Sequence, residues 1–192
     1  MIKPQFTKMN VMRYFIPSAV AVVAAAGLSS CLGGDDDSFD YNNWKNQNET
    51  FFIRMQDTVG ADNKKVFEKI EPVWAPGVSI LAQWHNDRSL TASNLVPMDN
   101  STCEVVYQVA YINGTVFDSS YSEIDSVRSF KPTETIVGFW TMLTNMHVGD
   151  SVTCVMPMNA AYGASSTSVI PYSTLIYNMK LKAITAYEVD GE

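Results

Sequence analysis

Leu175-Ile176-Tyr177-Asn178-Met179-Lys180-Leu181-Lys182 alternates one set of large apolar residues with a second, more polar set. Side chains of an extended chain point to opposite faces in turn. A period of two therefore describes a strand with one face on a core and one on water. Upstream, Glu104 to Ile112 is dense in Val and Tyr, and Thr115 to Asp118 follows after Asn113-Gly114. Asn-Gly between two such runs predicts a hairpin, because both residues tolerate positive φ. Gly138 to Met146 predicts a short helix with Phe139, Leu143 and Met146 on one face and Gly149 as its stop. Val152 to Met156 is a further strand candidate. Together these elements predict an α+β domain, an antiparallel sheet with one short helix against it.

The flanks are less regular. Trp44, Phe51 and Met55 fall at helical spacing, so Phe39 to Thr58 is expected to form one amphipathic helix packed on the domain. Val66 to Ile70, Val73-Trp74 and Val78 to Trp84 read as short strands separated by Pro72, Pro76 and Gly77. At the start, Lys3, Lys8 and Arg13 precede an apolar run from Tyr14 to Leu28 that ends in Ser29-Ser30-Cys31. This is the pattern of a secretory signal. Pro17 interrupts it, and it is shorter than the ~20 residues of a membrane-spanning helix.

Leu28-Ser29-Ser30-Cys31 resembles a bacterial lipobox. That implies removal of residues 1–30 and a lipid on Cys31, with several acyl chains giving a stable anchor. Gly33-Gly34-Asp35-Asp36-Asp37-Ser38 cannot pack, so residues 31–38 are expected to be a solvated tether. The acidic run resembles the export tag of surface lipoproteins from Bacteroidetes-type bacteria; a plain spacer from a negatively charged membrane is the alternative. Residues 39–97 then hold the helix and first strands, and residues 98–187 the principal domain. The expected location is the outer membrane, on its periplasmic or outer face.

Composition excludes several chemistries. A formal charge of -7 opposes nucleic-acid binding, which needs clustered Lys and Arg. His85 and His147 lie in no metal-ligand spacing, and no glycine-rich phosphate loop occurs. Cys103 and Cys154 sit mid-strand among apolar neighbours, which raises a thiol pKa and disfavours a nucleophile. An exported compartment permits a disulfide between them, but buried free thiols are the default.

What remains is a set of aromatic and aliphatic residues around one carboxylate. Val105-Val106-Tyr107 precedes Asn113-Gly114-Thr115-Val116-Phe117-Asp118-Ser119-Ser120. Glu134-Thr135-Ile136-Val137-Gly138-Phe139 precedes Met146-His147-Val148-Gly149-Asp150. Ala160-Ala161-Tyr162-Gly163 and Val169-Ile170-Pro171-Tyr172-Ser173-Thr174-Leu175-Ile176-Tyr177 complete the set. In this order and spacing the segments, covering roughly Cys103 to Ile184, resemble the FKBP-type peptidyl-prolyl cis–trans isomerases.

The resemblance implies an FKBP-like twisted antiparallel sheet wrapped around one short helix, here with an N-terminal helical extension. It implies a pocket for the proline ring of a polypeptide, lined by Tyr107, Phe117, Asp118, Ile136, Phe139, Tyr162, Val169 and Tyr177. Asp118, Tyr162, Tyr107 and Phe117 would take catalytic positions, and Ile136, Phe139, Val169 and Tyr177 would bind substrate. No cofactor and no metal are implied. The partners would be proline-containing polypeptides of the cell envelope or surface and, through Cys31, a membrane. A monomer on a tether is the plain expectation. The alternative is a catalytically weak binding or chaperone module of the same fold in a surface lipoprotein assembly.

Three departures bear on that choice. Phe139 stands where the family commonly has Trp at the pocket floor. The segment Tyr121 to Arg128 lacks the expected wall aromatic, leaving Val127 as the nearest candidate. The loop Ala164 to Ser168, which overhangs the pocket in the family, is short, small and polar.

Overall fold

The alternating C-terminal segment lies at the middle of the sheet. A computed structural model describes residues 39–187. Helix α1 (Tyr41–Asp57) leads into β1 (Glu68–Ile70), β2 (Ile80–Trp84), β3 (Thr102–Tyr111), β4 (Val116–Ser119), β5 (Arg128–Phe130), α2 (Val137–Leu143), β6 (Ser151–Met156) and β7 (Leu175–Ala186). The strands form one sheet in the order β1-β2-β6-β7-β3, with β4 and β5 both paired to β3. Every pairing is antiparallel. The expected signal, the expected lipid attachment at Cys31 and the expected tether fall outside the described residues.

Register aligns the apolar faces. Val109 sits opposite Tyr177, which sits opposite Cys154, which sits opposite Ala82. Two residues along the strands, Tyr107 sits opposite Met179, and Met179 opposite Val152. A slip of one residue would turn these side chains to the other face. They are buried in one core with Phe139, Met142, Leu143 and Met146. Because β2 pairs with β6, the sheet extends upstream of position 98.

Helix α2 is shorter than its apolar period suggests. Thr144 Oγ1 donates to Trp140 O at 3.1 Å, and Asn145 Nδ2 donates to Thr141 O at 2.8 Å. Thr144 N–H still bonds Trp140 O, but Asn145 N–H and Met146 N–H turn to Met142 O and Leu143 O at 3.0 and 3.1 Å, so the i→i−4 ladder gives way and the helix ends at Leu143. Gly149, at φ +100°, donates its N–H to Leu181 O at 2.8 Å. It therefore shapes the turn into β6 and does not stop the helix. At the other end, Gly138 N–H donates to Ala160 O at 2.7 Å, and a Cβ there would stand 2.7 Å from Met156 Sδ. Only glycine lets α2 approach the end of β6 that closely.

Two upstream expectations are resolved differently. Val73-Trp74 is a turn, not a strand: Ala75 N–H donates to Pro72 O at 3.1 Å and Val78 N–H to Ala75 O at 3.2 Å. Pro72 and Pro76 lack the N–H groups a ladder requires. The amphipathic helix forms over Tyr41–Asp57, capped by Asp40 Oδ1 accepting Asn43 N–H at 2.9 Å. Its fully buried residues are Trp44 and Asn48, whereas Phe51 and Met55 are only partly covered.

Candidate functional site

Strand β3 places Tyr107 on the core face, where its ring meets Phe130, Phe139 and Tyr177 at centroid separations of 5.5, 6.1 and 6.2 Å. Phe139 stands edge-on to Tyr177 at 5.4 Å and lies 5.0 Å from Phe130. These rings form the base of a hollow of about 440 Å³, completed by Asp118, Arg128, Glu134, Thr135, Ile136 and Tyr162. Apolar walls with a few convergent polar groups are the usual make-up of a small binding site.

The β3–β4 hairpin aims the carboxylate. Gly114 adopts φ +85° at the turn predicted from Asn113-Gly114. Val109 pairs with Asp118 and Ala110 with Val116, so Phe117 is the extra residue of a bulge. A bulge re-aims the side chains around it. Asp118 Oδ2 accepts the Tyr107 hydroxyl at 2.5 Å and lies 3.3 Å from Arg128 Nη1. Arg128 Nη1 also donates to the Tyr107 oxygen, and Nη2 donates to Glu123 Oε1 at 2.9 Å. The loop between β4 and β5 is pinned by buried Ser120. Its Oγ accepts Tyr107 N–H at 2.9 Å and donates to Ser126 O at 2.7 Å.

Burial, and then the bond to Asp118, push the Tyr107 phenol far above its usual pKa. Tyr177 is raised as well, first by burial and then by the neighbouring Tyr162 hydroxyl. Both therefore remain neutral donors at any physiological pH. With Tyr107 and Arg128 both bound to it, Asp118 fixes the directions of these hydrogen bonds. Ile136 precedes α2 in extended conformation, and its N–H has no partner among the described residues.

The hollow gathers Tyr107, Asp118, Ile136, Phe139, Tyr162 and Tyr177, but Phe117 and Val169 are not in its lining. Phe117, displaced by the bulge, stacks on Tyr111 at 4.5 Å. Val169 is buried against the core. Val127 does not supply the missing wall either; Phe130 and Arg128 of β5 do. A three-residue strand is too short to show a period. The one signal in sequence was an aromatic and a cation two residues apart, just after the gap where a wall residue was sought. Cys103 and Cys154 are free and buried, and burial pushes the Cys103 thiol up to about 11.

An antiparallel sheet packed on a short helix, with an aromatic hollow beside the helix N-terminus, defines an FKBP-like α+β domain. The profile of the FKBP-type peptidyl-prolyl cis-trans isomerases matches residues 94–182. A macrophage infectivity potentiator of Trypanosoma cruzi is 36% identical over 103 residues, 49% of this chain and 52% of that protein. The FKBP-type peptidyl-prolyl cis-trans isomerase FkpA of Escherichia coli K12 is 34% identical over 86 residues, 44% of this chain and 32% of that one. The chain thus spans about half, or less, of these relatives. Among solved structures, a peptidyl-prolyl cis-trans isomerase from Pseudomonas syringae pv. tomato superposes with TM-score 0.61 at 22% identity, over 79% of this chain and 100% of that one.

Proposed function

We propose that this protein is a peptidyl-prolyl cis–trans isomerase that assists folding of envelope or surface polypeptides. On this reading it acts as a monomer, held by a lipid on Cys31 to the outer membrane of a Bacteroidetes-type bacterium. The observation that carries the reading is the aromatic hollow lined by the Asp118–Tyr107–Arg128 cluster and by Ile136, whose N–H has no partner among the described residues.

Rotation about a peptide bond faces a barrier of ~18–20 kcal/mol, because resonance gives the C–N bond double-bond character. X-Pro bonds populate both isomers yet exchange over roughly tens to hundreds of seconds unaided. A twisted amide has lost that resonance and is less charge-separated than a planar one. A hollow floored by Phe139, Phe130 and Tyr177 solvates the planar form poorly and lowers the relative cost of twisting. The Ile136 N–H and the Tyr162 hydroxyl each hold a substrate carbonyl, and Asp118 sits beside the one that turns. No nucleophile, cofactor or metal takes part.

A protease-coupled isomerisation assay on the domain tests this directly. Acceleration of an X-Pro peptide above the uncatalysed rate is expected. A rate equal to the uncatalysed one would overturn the enzyme reading and leave a binding or chaperone module of the same fold. Radiolabelled lipid incorporation, lost in Cys31→Ser, tests the anchor separately.

A further inference from the structure

Helix α1 lies outside the family segment, yet it is bonded to the loop that follows Tyr162. Trp44 Nε1 donates to Ser173 Oγ at 3.0 Å, and Ser173 Oγ donates to Ile170 O at 2.6 Å. Asn48, only 1% exposed, accepts Thr174 N–H through Oδ1 at 2.6 Å. Its carbonyl accepts Thr174 Oγ1 at 3.2 Å, and its Nδ2 donates to Trp44 O at 2.8 Å. Trp44 also stands edge-on to Tyr111, 6.0 Å away, whose hydroxyl accepts Ile170 N–H at 3.2 Å.

Beside this anchorage sits Tyr172 at φ +64°, with the Lys45 ammonium 5.6 Å from its ring centroid. A bulky residue in that region costs on the order of 1–3 kcal/mol and persists only where its surroundings over-determine it. Tyr172 N–H donates to Gly163 O at 3.0 Å, and Gly163 N–H donates to Met158 O at 3.0 Å. Tyr162, the residue before Gly163, is 43% exposed and stands at the mouth of the hollow. An unbroken run of bonds thus leads from α1 to the turn that carries it.

We infer that Trp44 and Asn48 are positioning residues: α1 clamps the 163–174 loop in its strained form and so holds the Tyr162 hydroxyl over the hollow. The claim rests on the isomerase reading for its kinetic consequence but not for the clamp itself.

The test uses Trp44→Phe, which keeps an apolar ring and removes the donor, and Asn48→Ala, each alone and combined with Tyr162→Phe. kcat/KM toward an X-Pro peptide should fall roughly three- to tenfold in either single variant, and by less than twofold when Tyr162 is already Phe. Deuterium uptake should rise over 163–174 while β3 and β7 keep their protection. Equal losses in both backgrounds, or unchanged uptake over 163–174 in Trp44→Phe, would overturn the inference. A wild-type protein without isomerase activity would instead overturn the functional reading, and uptake alone would then decide whether the clamp exists.

Discussion

Two aspartate–arginine pairs share one contact distance and differ in everything around it. Asp118 and Arg128 approach to 3.3 Å beside the hollow, and their side chains are 44% and 35% exposed. Asp150 and Arg88 also approach to 3.3 Å, but Asp150 is wholly buried. Asp150 accepts from Asn86 Nδ2 at 2.9 Å, Thr91 Oγ1 at 2.5 Å and His147 N–H at 2.9 Å. Burial alone would raise its pKa; these bonds and the Arg88 charge outweigh it and hold it below the usual value. Asp150 ties the loop after β2 to the turn before β6. Asp118 keeps one side open to an apolar space. A saturated pair staples the fold, whereas an incompletely enclosed one can meet a ligand.

The largest expected effect tests the staple. Asp150→Ala leaves Arg88, the His147 amide and two polar side chains without their acceptor, and should lower unfolding stability by about 3 kcal/mol. That corresponds to a fall in melting temperature of roughly 6–12 °C for a domain of this size. Protein that stays folded at low temperature should retain its isomerase rate. Calorimetry alongside the kinetic assay separates the two.

Asp118→Ala should do the reverse. Its kcat/KM should fall roughly tenfold, about 1.4 kcal/mol of barrier, while stability changes by less than about 1 kcal/mol, as befits a half-exposed pair. A large loss of stability with activity intact would invert the roles assigned to the two aspartates.

Acid titration sharpens the contrast further. Because the folded pKa of Asp150 is depressed, its contribution is present above the unfolded value, about 3.8–3.9, and is lost as pH falls through the lower folded one. Chemical denaturation from pH 5 down to pH 2 should show that loss in wild type and a smaller one in Asp150→Asn.

The smallest effect concerns the rings. Tyr107→Phe should lower kcat/KM by roughly threefold through a misdirected Asp118. In wild type the raised Tyr107 and Tyr177 phenols predict no loss of rate from ionisation of either between pH 6 and 9. A stopped-flow pH profile that declines near pH 8 in step with one of these phenols would contradict their burial.

Reading along the chain reveals a property when neighbours in sequence carry it. The alternation of β7 and β3, the turn at Asn113-Gly114 and the apolar face of α2 are of this kind. So is the family resemblance, which rested on short runs around Asp118, Ile136 and Tyr162. Pocket membership is different. Phe117 is adjacent to Asp118, yet a one-residue bulge sends it to Tyr111. Phe130 and Arg128 enter because β5 pairs with residues 103–105 of β3. Trp44 and Asn48 matter through residues more than a hundred positions away.

Local periodicity and turn chemistry alone determined that this chain builds an antiparallel sheet with a short helix against it, since both elements are dictated by residues within a few positions. Which side chains share the hollow, which aspartate stays open and what α1 holds were decided only by tertiary packing. Those outcomes depend on strand register, on a bulge and on contacts between distant segments, and no local pattern encodes them.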